Sequence, residues 1–176
     1  MSTLAASAAS GVLHAVNGKT LEVRPLTLKD YGTLELCAMK DFKKKRVESY
    51  AQVLEHIPAE DRTKFIEKLA ADNAKLDESD LPAKVMMIDK SGNVTVDEAE
   101  CVKKQKVPFV QWWMSFTHEG RLSAVWLSIR KAQPELSKED VETLVMDDTK
   151  ALEELANVVG DVSAPKLGNQ PEPARK

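Results

Sequence analysis

The oxygen-bearing side chains between Asp89 and Glu100 have the spacing of a calcium-binding loop. The ligand positions 1, 3, 5, 7, 9 and 12 of an EF-hand would be taken by Asp89, Ser91, Asn93, Thr95, Asp97 and Glu100. That loop requires glycine at position 6, where the backbone turns at positive φ, and Val94 stands there instead. The glycine of this segment, Gly92, is at position 4, which suits a hairpin turn. We therefore predict a hairpin and no calcium site.

The other residues with metal or catalytic chemistry form no recognised motif. His14, His56 and His118 lack a cysteine or acidic residue at a metal-ligand spacing. Cys37 and Cys101 are too few for a disulfide framework and too far apart for a CxxC zinc site, so we interpret both as buried, reduced thiols. The phosphate-loop, dinucleotide-binding and hydrolase-elbow motifs do not occur. We predict a non-enzymatic protein without a metal ion or cofactor.

The basic run from Lys43 to Arg46 contains four consecutive cationic residues that could contact phosphate. On a helix, however, four consecutive side chains point around the whole circumference and do not make one coherent patch. Asp41 and Glu48 also flank the run. We interpret it as a solvated face, or as a surface for an acidic partner.

Aromatic residues are concentrated in one segment, which contains Trp112, Trp113, Phe116 and Trp126. Such residues serve either a core or a protein interface. Adjacent residues of a helix point about 100° apart, so one narrow stripe cannot bury both Trp112 and Trp113. We expect Trp126 to belong to the core and at least one of the adjacent tryptophans to be partly exposed. Trp112, Trp113 and Phe116 are the candidate protein-interaction residues.

Local signals predict the elements of the first half of the chain. Asn17-Gly18 between two β-favouring runs predicts a β-hairpin over 12–24, because both residues accept the positive φ of a type I′ turn. A helix is expected to begin near Thr27, with an apolar stripe that starts at Leu28, and to end at Pro58, where a second helix follows. The turn at 90–93 predicts a second, smaller hairpin, whereas residues 98–107 are charged and give no signal.

Helices dominate the second half. A helix is expected over 119–133, ended by Pro134. A further helix is expected to start at Ser137, with Asp140 three residues later, and to stop at Gly160. This pair has the outline of a helix-turn-helix, but the first turns of its second helix are acidic and would repel DNA phosphates. We therefore predict a mainly α fold of the α+β class, in which a helical domain carries an N-terminal β-hairpin and a second small hairpin.

The composition limits the class of protein. The chain has 176 residues, a net charge of −3, 43% apolar residues and 30% charged residues, which is typical of a soluble globular protein and not of one that coats nucleic acid. No apolar run approaches the roughly 20 residues that span a bilayer, and no secretory signal is visible. We expect a flexible leader over 1–10, a single domain over 11–160 and a disordered, proline-rich tail over 161–176.

Two stretches are similar to a known family. The stretch 16–30, VNGKTLEVRPLTLKD, resembles the opening of many tail assembly chaperones of long-tailed bacteriophages, in which a strand pair and R-P-L-T lead into a helix. The stretch 124–141, AVWLSIRKAQPELSKEDV, resembles their later motif, an apolar helix with Trp and Arg, a proline and an acidic capped helix. Together the stretches cover about a fifth of the chain, and residues 40–107 have no counterpart.

The resemblance implies a non-enzymatic helper in the host cytoplasm. Such proteins coat the long, hydrophobic tape-measure protein before tail-tube subunits polymerise around it, and they are absent from the finished particle. The implied partners are the tape-measure protein and the tail-tube protein, with self-association also allowed and with neither nucleic acid nor membrane. The alternative is a structural tail or head–tail component of the phage. A helix-turn-helix DNA-binding protein is the least favoured of the three hypotheses.

Overall fold

The computed structural model describes residues 11–77, 80–146 and 149–164. In these ranges the chain forms six helices and two antiparallel sheets, which confirms the mainly α fold with small β elements. None of the helices in these ranges is long and apolar enough to cross a membrane. The expected leader at 1–10 and residues 165–176 of the expected tail lie outside the described residues.

The chain divides into two compact units. The first consists of the chain up to Thr27 and from Ala124 onward, and the second is Leu28–Ser123. The two family-like stretches belong almost entirely to the first unit, and the aromatic cluster around Trp112 belongs to the second. Because compact units of one chain can still fold together, the single domain expected over 11–160 stays a prediction.

The first unit is built on the N-terminal hairpin. Strands β1 (Val12–Val16) and β2 (Lys19–Val23) pair antiparallel, with Val12 opposite Val23. Asn17 and Gly18 have φ of 46° and 77°, as a type I′ turn requires, so the predicted hairpin is confirmed. The C-terminal helices α5 (Lys138–Val145) and α6 (Thr149–Ser163) complete this unit, and α6 packs against both strands.

The C-terminal helical region differs from the prediction in its boundaries. Two helices replace the expected single one, and α6 continues through Gly160 to Ser163. The amide of Ala164 still donates to the carbonyl of Gly160 at 2.9 Å, and the Ser163 hydroxyl accepts a hydrogen bond from the Leu26 amide at 3.0 Å. These contacts fix the last turn, so Gly160 is not a helix stop and residues 161–163 are not part of a disordered tail.

The start of α5 is fixed by the predicted capping residues. The Ser137 hydroxyl accepts a hydrogen bond from the Asp140 amide at 3.1 Å, and the Asp140 carboxylate accepts one from the Ser137 amide at 2.9 Å. This reciprocal pair is a capping box. The hydrogen bonds from Ser137 hold the pKa of the Asp140 carboxyl below its ordinary value.

The capping box predicts a pH-dependent stability. Because the Asp140 pKa is lower in the folded chain than in the unfolded chain, its contribution is complete above the unfolded pKa and is lost as the pH falls through the folded pKa. We expect Asp140→Asn to reduce the loss of stability between about pH 5 and pH 3, measured as the urea midpoint against pH. Glu139→Gln, which removes a carboxylate from the same turn, is the control. Equal acid sensitivity of wild type and Asp140→Asn would contradict the prediction.

The second unit begins with two long helices. α1 (Leu28–Leu54) runs through the basic segment, and α2 (Ala59–Lys75) follows Pro58, as the sequence predicts. The buried stripe of α1 passes through Asp30, Leu34 and Ala38 at spacings of four residues. Leu28 lies two residues before Asp30, which is about 200° around the helix, and it is 91% exposed. The expectation that Leu28 starts the apolar stripe is therefore wrong.

A three-stranded sheet with the order β4-β3-β5 follows α2. Its strands are β3 (Lys84–Ile88), β4 (Val94–Thr95) and β5 (Lys103–Val107). The predicted second hairpin is confirmed: Gly92 has a φ of 86°, and the Asp89 carboxylate accepts hydrogen bonds from the amides of Ser91 and Asn93 at 2.8 and 2.9 Å. Strand β5 was not predicted, because four of its five residues are exposed and only Val107 is buried.

The predicted burial of the two cysteines and of Trp126 is wrong. Cys37 and Cys101 are partly exposed thiols and not buried ones. Trp126, which lies in α4 (His118–Ile129), is half-buried and is not a core residue. Its indole N–H donates to the carbonyl of Leu136 at 3.2 Å, and the Arg130 guanidinium lies 4.6 Å from the ring centre. The hydrogen bond and the cation–π contact fix the ring in a position where part of its surface is exposed.

Candidate protein-interaction site

The helix α3 (Phe109–Phe116) carries the three predicted interaction residues and divides them between core and surface. Trp113 is 0% exposed, and its indole N–H donates to the Asp41 carboxylate at 2.8 Å. The same carboxylate oxygen lies 2.9 Å from the Lys45 ammonium. Trp113 is therefore a core residue with no exposed surface for a partner, and its assignment as an interaction residue is wrong. Trp112 and Phe116 are half-buried, which agrees with the expected exposure of one of the two tryptophans.

A continuous row of aromatic rings runs through the half-buried members. Phe42 of α1 meets Phe109 edge to face with ring centres 5.4 Å apart, and Phe109 meets Trp112 at 5.8 Å. Trp112 in turn stacks on Phe116 at 6.0 Å with an angle of 26° between the ring planes. Each such aromatic pair contributes about 0.5–1.5 kcal/mol beyond the burial of its rings. The row is therefore a fixed surface on which a partner side chain could pack.

A cleft of about 340 Å³ opens beside this row, and we call it the aromatic cleft. Its lining consists of Phe42, Lys45, Arg46, Ser49, Lys84, Phe109 and Trp112. Phe42, Lys45, Arg46 and Ser49 follow one another along α1 at positions i, i+3, i+4 and i+7, which places them on one helix face. The basic run thus contributes two of its four residues to the cleft, while its other two do not line it.

The three cationic side chains that line the cleft differ in their contacts. Lys45 is paired with Asp41 at 2.9 Å. The Lys84 ammonium lies 5.2 Å from the centre of the Trp112 ring. The Arg46 Nε is buried and has no hydrogen-bond partner among the described residues, and no carboxylate of those residues forms an ion pair with Arg46 or Lys84. The cleft therefore combines an apolar wall with two cations that no described carboxylate neutralises.

Sequence reasoning found only part of this site. The angle between adjacent helical residues predicts that at least one of Trp112 and Trp113 is exposed, and the basic run is interpreted as a solvated face or as a surface for an acidic partner. Phe42 and Arg46 are four residues apart in α1, and this helical spacing was a signal that the prediction did not use. No sequence pattern indicates that Lys84 belongs to the site, because it lies on strand β3 and contacts the Trp112 ring only in the folded chain.

The first unit brings together the two stretches that resemble tail assembly chaperones. The Gln133 side-chain amide accepts a hydrogen bond from the Glu22 amide at 3.0 Å and donates one to the Thr20 carbonyl at 3.1 Å. The Ser128 hydroxyl accepts from the Arg24 amide at 3.0 Å and donates to the carbonyl of the same residue. The Lys131 ammonium also donates to the Pro25 carbonyl. The stretches, distant in sequence, thus form one hydrogen-bonded structure.

The Ser128 hydroxyl is expected to be essential to this junction. Ser128→Ala removes the partner of both the amide and the carbonyl of Arg24, which are part-buried, and should lower the free energy of unfolding by about 2 kcal/mol. Urea denaturation followed by circular dichroism measures the loss. Ser115→Ala, which removes an exposed hydroxyl bonded only within its own helix, should change stability by less than about 0.5 kcal/mol. Equal losses in the two variants would contradict the assignment.

Comparison with known proteins adds no relative: no protein-family model matches the sequence, and no similar chain is found among curated proteins or solved structures.

Proposed function

We propose that the protein is a tail assembly chaperone of a long-tailed bacteriophage, which binds the tape-measure protein and keeps it soluble. The observation that carries this proposal is the junction of the two family-like stretches. Residues 16–30 and 124–141 resemble successive motifs of that family, and Ser128 and Gln133 of the later stretch bond directly to the backbone of the earlier one. Two motifs of one family are expected to lie together in one structural unit, and this contact supports the proposal.

The aromatic cleft suits a partner of this kind. An amphipathic helix of another chain can place an apolar side chain against a fixed aromatic wall, in the helix-in-groove mode of recognition. The net charge of −3 helps to keep such a complex in solution. The proposed role is non-enzymatic, takes place in the host cytoplasm and involves neither nucleic acid nor membrane. The tail-tube protein and a second copy of the chain are the further partners that this role allows.

The proposal is tested by coexpression with the tape-measure protein encoded by the same genome. That protein is expected to be recovered in the soluble fraction, and in a complex, only when the chain is present. Trp112→Ala should reduce the recovered complex severalfold because it removes the centre of the aromatic row, whereas Lys44→Gln, on the exposed part of the basic run, should not. Recovery that is equal with and without the chain would overturn the proposal.

Mass spectrometry of purified virions separates the proposed function from its alternative. A chaperone is expected to be absent from the finished particle. The presence of the chain at a fixed copy number would instead support a structural tail or head–tail component. Binding to immobilised DNA that weakens as the salt concentration rises would support the hypothesis of a helix-turn-helix DNA-binding protein.

A further inference from the structure

We propose that the aromatic cleft recognises an acidic amphipathic helix, in which a large apolar side chain and a carboxylate stand one helical turn apart. The apolar side chain packs in the cleft against the row formed by Phe42, Phe109 and Trp112, and the carboxylate pairs with Arg46 and Lys84. The inference rests on the proposed function only in taking the occupant to be a segment of another protein. It adds the chemistry by which that segment is recognised.

The size and lining of the cleft favour one large side chain. Its volume of about 340 Å³ lies at the lower end of the range of about 300–1,000 Å³ that small-molecule sites occupy. Phe109 is only 7% exposed and is held between Phe42 and Trp112. The apolar wall of the cleft is therefore rigid before a partner binds. A rigid apolar wall loses little entropy on binding, which is the property of a hot spot.

The charges of the cleft select a carboxylate. Arg46 lines the cleft, and no carboxylate of the described residues forms an ion pair with its guanidinium. Arginine binds carboxylates with two parallel hydrogen bonds, and the Lys84 ammonium supplies a second positive charge to the same cleft. Lys45 does not compete, because Asp41 already neutralises it. A partner carboxylate therefore satisfies charges that the described part of the chain leaves unpaired.

The spacing of these groups along α1 indicates a helical partner. Phe42 and Arg46 are four residues apart, so the apolar and the cationic parts of the cleft are separated by one helical turn, about 5–6 Å. A helix that lies along α1 presents residues i and i+4 at the same separation. An apolar residue at i and a glutamate at i+4 thus meet the two parts of the cleft together.

Single-stranded nucleic acid fits the cleft less well, although it too uses aromatic rings and cations. Such binding needs open ring faces on which successive bases stack and a groove of positive charge that follows the phosphates. The Trp112 ring is already engaged by Phe116 and by Lys84, and Phe109 meets its neighbours at tilted angles.

Three synthetic helical peptides test the proposal on the full chain. Each is an alanine-rich peptide of about four helical turns with a single phenylalanine, and the residue at i+4 from it is glutamate, glutamine or lysine. We expect the glutamate peptide to bind roughly tenfold more tightly than the glutamine peptide, as a charge-assisted hydrogen bond predicts, and the lysine peptide to bind most weakly. Fluorescence anisotropy of labelled peptides measures the three affinities.

Variants of the basic run assign the effect to the cleft. Arg46→Gln is expected to abolish the preference for glutamate over glutamine, and Arg46→Glu to reverse it in favour of the lysine peptide. Lys44→Gln, which removes an equal charge from the same run outside the cleft, should leave the preference unchanged. Circular dichroism of each variant shows whether it is folded, and the reversal by Arg46→Glu is a gain that an unfolded variant cannot produce.

Three outcomes would overturn the inference. The first is equal affinity for the glutamate and glutamine peptides. The second is tighter binding of a labelled 12-nucleotide oligothymidylate than of any peptide, and the third is a self-associated chain from which the glutamate peptide is excluded.

Because no tape-measure protein is used, the peptide result is independent of the coexpression result. Failure of coexpression alone would refute the proposed function, and loss of the glutamate preference alone would refute this inference.

Discussion

Trp113→Ala is expected to lower the free energy of unfolding by about 3–5 kcal/mol, the largest loss predicted for a single substitution in this chain. The side chain is 0% exposed, so truncation leaves a cavity that rigid neighbours fill only in part. It also removes the indole N–H that donates to Asp41 at 2.8 Å, which leaves Lys45 as the remaining partner shown for that carboxylate. Urea denaturation with the linear extrapolation method measures the loss.

Two further variants divide this loss into its parts. Trp113→Phe keeps most of the ring but lacks the indole N–H, and it should cost less than half as much as the alanine variant. Trp126→Ala removes a ring of the same size from a half-buried position, and its loss should be smaller than that of Trp113→Ala. If Trp126→Ala were the more destabilising of the two alanine variants, the assignment of Trp113 as the central core residue would be wrong.

The parts of the fold that the sequence predicted are those decided by a few neighbouring residues. The positive φ of Asn17 and Gly18 depends on their own residue types, because glycine has no Cβ atom and asparagine tolerates the left-handed region, and the hairpin follows from it. The capping box of Ser137 and Asp140 likewise closes within one helical turn. In both places the physical cause lies inside a short window of sequence, so no knowledge of the remaining chain was needed.

The parts that were missed are decided by distant residues. Strand β5 has no apolar alternation, and it forms because its backbone pairs with β3, where Val107 faces Lys84. Gly160 has the residue type of a helix stop, yet the hydrogen bond between Ser163 and Leu26 fixes the turn beyond it. In each case a contact between residues far apart in sequence outweighs the local preference, and a local reading of the sequence cannot include it.

The candidate site shows the same limit. The angle between adjacent helical residues correctly separated Trp112 from Trp113, but it could not say which of them is buried. That choice depends on Asp41, which binds the indole of Trp113 from another helix. The charge of the aromatic cleft was equally hidden, since Lys45 is neutralised by Asp41 whereas the Nε of its neighbour Arg46 is left without a partner among the described residues.

Gly120→Ala is expected to be destabilising by about 3 kcal/mol, although alanine is the better helix former. A Cβ atom at this position would lie 2.2 Å from the Trp113 carbonyl oxygen and 2.9 Å from the Met114 Cα. Both are backbone atoms, so no flexible side chain can move aside. The same carbonyl accepts hydrogen bonds from the Thr117 amide at 3.0 Å and the Thr117 hydroxyl at 2.7 Å, which fixes it in place. The added methyl group must therefore displace the end of α3 and the core residue Trp113.

Gly32→Ala and Gly160→Ala are matched controls, because both glycines lie inside helices and a Cβ atom at either would meet nothing within 4 Å. Each should raise stability by up to about 1 kcal/mol, since alanine loses less backbone entropy on folding. The sign of the effect thus separates a glycine required by close approach of two backbones from glycines that are merely tolerated. Thermal or urea denaturation of the three variants measures it. A stabilising Gly120→Ala would show that α4 does not pack against the carboxyl end of α3 in this way.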